Sequence, residues 1–118
     1  IEFIKNNTNL PVILKGITSV SYAKKAVELG IDAIVVSNHA GRTLDTLPAS
    51  IEILPKITNE IKGKIPILFD GGIKRGTDVI KAIALGASAV MIGRPIMYGL
   101  ATAGALGVAH TLKILKEV

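Results

Sequence analysis

An α/β fold of four parallel strands, each followed by a helix, is what this sequence predicts, and two observations carry the prediction. The first is an internal repeat: "PVILKGITSVSYAKKAVELGIDAIVVS" from Pro11 matches "PILFDGGIKRGTDVIKAIALGASAVMIG" from Pro66. Residue 11 aligns with 66 and residue 30 with 86, so one residue has been inserted between them. The second is that each copy opens and closes on a short apolar run rich in branched residues, too brief for a helix and typical of strands buried on both faces.

Taken in order, residues 12–14 form the first strand, with Lys15 closing it. Ser19 or Ser21 is placed to cap the following helix. Ala23, Ala26 and Val27 make its inner stripe, and Gly30 takes the left-handed position at its end. "AIVVS" is the second strand. Residues 48–63 supply the second helix, which Pro55 should kink or delay in starting. Residues 67–69 are the third strand. In the helix after it, Thr77 or Asp78 caps, Val79, Ile80, Ile83 and Ala84 pack inward, and Gly86 ends the element. "AVMIG" is the fourth strand, and "GVAHTLKILKEV" the last helix.

Strict alternation of strand and helix calls for parallel pairing through right-handed crossovers. Four such units are half of a TIM (β/α)8 barrel, whose full length is about 250 residues. An open doubly wound sheet is the rival, and the repeated pair of units favours the barrel. At 118 residues the chain reads as a single C-terminal half-barrel over 1–118. Half a barrel has two open sheet edges and an uncovered inner face. An N-terminal half-barrel, or self-association, is therefore expected to complete it. The opening "IEFIKNNTN", without Met or a basic-then-apolar leader, fits a piece of something longer.

Composition narrows the function classes. With no cysteine, there is no disulfide, thiolate metal site or thiol nucleophile. Hydrophobic residues are 49%, yet no run approaches the roughly 18 residues of a membrane span, so no integral membrane segment is expected. A cytoplasmic location is expected, although the absence of cysteine fits any compartment. The net charge of +5 is scattered over helical segments, and two Phe, two Tyr and no Trp give bases little to stack on. No nucleic-acid partner is expected. A small anion suits the charge better.

Chemistry in parallel barrels gathers after the C-terminal ends of strands. Those places hold Lys15 and Gly16; residues 37–45, "SNHAGRTLD"; residues 70–78, "DGGIKRGTD"; and Gly93 with Arg94. Gly71 and Gly72 let backbone N–H groups approach a ligand at the start of a helix, and Arg94 can grip phosphate oxygens in a fork. Lys15, at the end of an apolar strand, should face something anionic or electron-rich. His39 after a strand is as compatible with a structural role as with catalysis. Arg42 on the same loop pairs a side chain that exchanges protons near neutral pH with a carboxylate-binding fork, as proton removal from a small acid requires. His110 reads as a surface or packing residue.

"LPVILKG", "VVSNHAGRTLD", "FDGGIKRGTDVIKAIALGA" and "MIGRPIMYGLA", in this order, closely resemble the C-terminal half of the FMN-dependent α-hydroxy acid dehydrogenase/oxidase family, which includes glycolate oxidase, lactate oxidase and flavocytochrome-type L-lactate dehydrogenases. The resemblance implies strands five to eight of that barrel, FMN as cofactor and a small L-2-hydroxy acid as substrate. It implies His39 as the base and Arg42 as the carboxylate ligand. Lys15 and Ser37 would lie by the flavin ring, and Asp70, Gly71, Gly72, Lys74, Gly93 and Arg94 at the ribityl phosphate. The usual "SNHGGRQLD" carries Ala40 and Thr43 here, and Lys74 stands where arginine is usual. The alternatives are a catalytically inactive half-barrel that binds FMN or phosphate, and a fragment of another FMN barrel such as type 2 isopentenyl diphosphate isomerase.

Overall fold

A computed structural model describes residues 1–117. After a short helix, α1 (Glu2–Asn6), the chain alternates as β1 (Ile13–Ile17), α2 (Val20–Glu28), β2 (Ala33–Val36), α3 (Ser50–Ile61), β3 (Ile67–Asp70), α4 (Gly76–Ala84), β4 (Ala89–Met91) and α5 (Arg94–Lys116). The strands form one parallel sheet in the order β1-β2-β3-β4. This is the open half-barrel that the repeat predicts. α1 carried no periodic signal, being only five residues long.

Register decides which side chains share a face, because successive residues of a strand alternate. Lys15 lines up with Val35, Leu68 and Ala89, and by alternation Ile13, Ala33, Asp70 and Met91 share that face. The opposite face carries Ile34, Val36, Ile67 and Phe69, which join Ala23 and Ala26 of α2, Ile53, Leu54, Ile57 and Ile61 of α3, Ala82 of α4 and Leu115 of α5 in one core. Every helix but α1 thus contributes to one side of the sheet. On the other side the edge residues stay open, Ile13 being 52% and Met91 39% exposed.

Both repeats end their first helix alike. Gly30 and Gly86 have φ of +67° and +100°, and the next residues, Ile31 and Ala87, donate back to the carbonyls of Ala26 and Ala82. The inner stripe of α4 differs from expectation. Ala82 is buried and Val79 packs beside it, whereas Ile80 and Ile83 are 56% and 45% exposed. The repeat aligns Ala26 with Ala82, and close seating of helix on sheet selects the small residue there.

Pro55 neither delays nor divides α3, which begins at Ser50 and runs through it. The N–H that proline lacks would have met the carbonyl of Ile51, in the first turn of the helix. The last helix starts well before Gly107. It opens directly after β4 with Pro95 in its first turn, breaks at Ala103 and Gly104, and doubles back so that Gly99 and Gly107 meet. A Cβ on Gly99 would lie 2.6 Å from the Gly107 carbonyl oxygen, so this crossing admits only glycine.

Candidate active site at the carboxyl edge of the sheet

Lys15 is the middle residue of β1 rather than its last, and its side chain runs along the inner face toward the carboxyl edge. Its Nζ lies 2.8 Å from Asp70 Oδ2, at the end of β3, and donates to Ser37 Oγ at 3.1 Å, just past β2. Three strands therefore contribute to one cluster. Ser37 is fully buried and also accepts the His39 backbone N–H at 3.1 Å. Asp70 Oδ1 is buried and has no hydrogen-bond partner among the described residues, which leaves an acceptor that a ligand donor would satisfy.

The histidine sits on a tight turn after β2. Residues His39–Gly41 form one turn of 3₁₀ helix, closed by N–H bonds from Gly41 to the Asn38 carbonyl and from Arg42 to the His39 carbonyl. Asn38 anchors the turn through its N–H to Ser50 Oγ at 3.0 Å and its side-chain amide to the Pro48 carbonyl at 3.2 Å. His39 and Arg42 are thus held on one exposed turn directly above Ser37.

His39 and Ala40 both have left-handed backbone, with φ of +55° and +58°. A side chain in that region costs about 1–2 kcal/mol. Ala40→Gly is accordingly expected to stabilise the protein by about 1 kcal/mol, read as a higher urea midpoint at unchanged slope. No change, or a loss, would show that the turn is not left-handed at Ala40.

Gly71 and Gly72 follow β3 with φ of +102° and +78°, and space is open beside Gly72 and Gly93, where a Cβ would meet nothing within 4 Å. Arg94 opens α5 next to Gly93. Lys74 lines a cleft of about 560 Å³ with Pro95, Tyr98 and His110, beside the start of α5. His110 is exposed on the far arm of α5.

The two helix starts differ. At α4, Asp78 Oδ2 accepts the N–H groups of Lys74 and Arg75, the two residues just ahead of the helix, each at 3.0 Å. Asp78 caps from inside the first turn rather than ahead of it. Those two bonds, first from Lys74 and then from Arg75, hold its carboxyl below the usual aspartate range. A depressed acid stabilises the fold above its unfolded pKa, and that gain is lost as pH falls through the folded value. Asp78→Asn should lower the melting temperature at neutral pH and match the parent in strong acid. An equal difference at both would contradict the cap.

Ser50 and Asn38 went unread in the sequence. The signal for Ser50 was a serine between "PA" and an apolar run, the place of a helix start whose hydroxyl can serve a neighbouring loop.

Comparison with known proteins agrees with this geometry. The sequence profile of the family described as FMN-dependent dehydrogenase matches residues 1–117. A peroxisomal (S)-2-hydroxyacid oxidase of Arabidopsis thaliana is 53% identical over 117 residues, 99% of this chain and 32% of its own. An L-lactate oxidase of a Nostoc strain is 50% identical over the same share of each. The crystal structure of a mandelate oxidase superposes with a TM-score of 0.95 at 51% identity, covering 98% of this chain and 34% of the other. A structure of a variant of that enzyme contains a monooxide FMN adduct. The chain spans about a third of the length of the relatives it matches. No helix among the described residues is long and apolar enough to cross a membrane. With nearly its whole length matched and half its residues identical to such oxidases, this chain belongs to the FMN-dependent dehydrogenase family.

Proposed function

We propose that this chain carries the base, the carboxylate ligand and the flavin phosphate site of an enzyme that oxidises a small L-2-hydroxy acid, of lactate or glycolate type, to the 2-keto acid. The observation that carries the reading is the convergence of Lys15, Ser37 and Asp70 from three strands directly beneath the turn that bears His39 and Arg42. The residues fit FMN. The unpartnered Asp70 Oδ1, the open space at Gly72 and Gly93 and the cation of Arg94 suit a ligand with hydroxyls at one end and a phosphate at the other.

FMN, when bound, supplies the two-electron acceptor. Arg42 holds the substrate carboxylate through a charge-assisted fork, fixing the 2-carbon relative to His39. The His39 imidazole takes a proton from the bound acid and keeps it while the keto acid leaves. Lys15 fixes a positive charge on the inner face where negative charge collects, with Asp70 and Ser37 setting its position. Gly71, Gly72, Lys74, Gly93 and Arg94 hold the phosphate. The phosphate is assigned to the amides of the glycine loop after β3 and to the start of α5, where Arg94 adds its cation.

A second reading is favoured by the open edges of the inner face: by itself the half-barrel binds FMN or phosphate without turnover, and an N-terminal half-barrel or a second copy covers Ile13 and Met91. We place the enzyme in the cytoplasm, against the peroxisome in the name of the Arabidopsis relative; cell fractionation decides. The main test is anaerobic addition of L-lactate or glycolate to the FMN-loaded protein. Bleaching of the yellow flavin band supports the oxidase reading. A band that persists, with FMN still bound, supports the inactive half-barrel.

A further inference from the structure

We propose that Gly16 is a positioning residue for this reaction, its bare Cα forming the seat that fixes the His39 imidazole. The inference rests on His39 being the base. Pairing between β1 and β2 slips between Lys15 and Ile17, so Gly16 lies at a bulge, with φ of +96°. Bulges beside active sites re-aim side chains and bend the strand. Here the bulge turns the Gly16 backbone toward the His39 ring. A Cβ on Gly16 would lie 2.6 Å from His39 Cε1 and 3.5 Å from Nδ1 and from Nε2. The ring therefore rests on Gly16 by its Cε1 corner, with the two nitrogens turned to either side.

No hydrogen bond holds that ring among the described residues. The bond to Ser37 fixes only the His39 backbone, and among the described residues neither ring nitrogen has a hydrogen-bond partner. The seat thus decides where the nitrogens point. Even alanine must push the imidazole off it, and misplacement of a reacting group by about 1 Å can cost on the order of a hundredfold in rate.

The first measurement needs no variant. In the histidine-labelled protein, a nuclear Overhauser contact between Gly16 Hα and His39 Hε1 is expected, with His110 as internal reference; its absence overturns the proposal. The second is a cycle of Gly16→Ala and His39→Ala in the FMN-loaded protein. Gly16→Ala alone should slow flavin reduction by about a hundredfold at unchanged FMN affinity. On the His39→Ala background it should cost nothing more. An equal loss in both backgrounds, or no loss in either, means that Gly16 does not act through His39. If His39→Ala itself left the rate intact, the base assignment would fall, and the contact alone would decide the seat. If the Gly16→Ala chain does not fold, the same contact in the parent protein decides.

Discussion

Replacing His39 with glutamine should slow flavin reduction by an L-2-hydroxy acid by about 10²–10⁴-fold, the range that a positioned general base contributes. Glutamine keeps a polar side chain of similar reach on the turn but cannot take up a proton. The backbone tie that holds the turn is unaffected, because Ser37 Oγ binds the N–H of residue 39 and not its side chain. FMN binding should also stay as it was, since the residues assigned to the phosphate lie after β3 and β4. Anaerobic stopped-flow at the flavin band separates the two quantities. A rate unchanged within a factor of about two, with flavin still bound, would remove His39 from the chemistry.

Phe69→Ala is expected to destabilise the fold by about 3–5 kcal/mol, the usual range for emptying a large buried aromatic site. Phe69 is 1% exposed, pairs in register with Val36 on one side and Val90 on the other, and stands immediately before Asp70. Domains of this size are stable by only about 5–15 kcal/mol, so the variant should be near its unfolding midpoint at modest denaturant. Urea unfolding followed by circular dichroism measures the loss. A cost below about 1 kcal/mol would mean that β3 does not turn Phe69 into the helix-covered core. Because the neighbouring residue alternates to the opposite face, it would also remove the reason for placing Asp70 beside Lys15.

The repeat and the apolar runs made the sheet legible, because strands buried on both faces leave unbroken branched stretches and glycines mark where their helices stop. The strand tips were legible too, as places where Lys15, His39, Arg42 and the glycines interrupt that pattern. The features that local pattern did not reveal share a physical cause. The first arm of α5 is disguised by Gly99 and by the break at Gly104, since its helix is set by tertiary crossing rather than by propensity. The outward turn of Ile80 and Ile83 depends on how closely α4 seats on the sheet. Gly16 reads as one more small residue until pairing shows a bulge beneath His39, and Ser50 as a helix-start residue until Asn38 is seen to donate to it. These are long-range juxtapositions, and no local periodicity encodes them.

The departure at Ala40 illustrates the same division. A glycine there would suit the left-handed backbone better, yet the turn keeps its form with alanine because Ser37, Ser50 and Pro48 hold the residues on its approach. The cluster beneath is rigid for a related reason. Lys15 is held by two partners at once, and Ser37, wholly buried, serves both the ammonium and the turn.

The most direct test is a crystal structure of the FMN-loaded protein with a 2-keto acid bound. The phosphate is predicted against Gly72, Gly93 and Arg94, the keto acid carboxylate on Arg42, and the His39 imidazole within hydrogen-bond reach of the keto oxygen. A phosphate lodged elsewhere, or imidazole and guanidinium directed to opposite sides of the sheet, would contradict the assignment of this edge as the catalytic one.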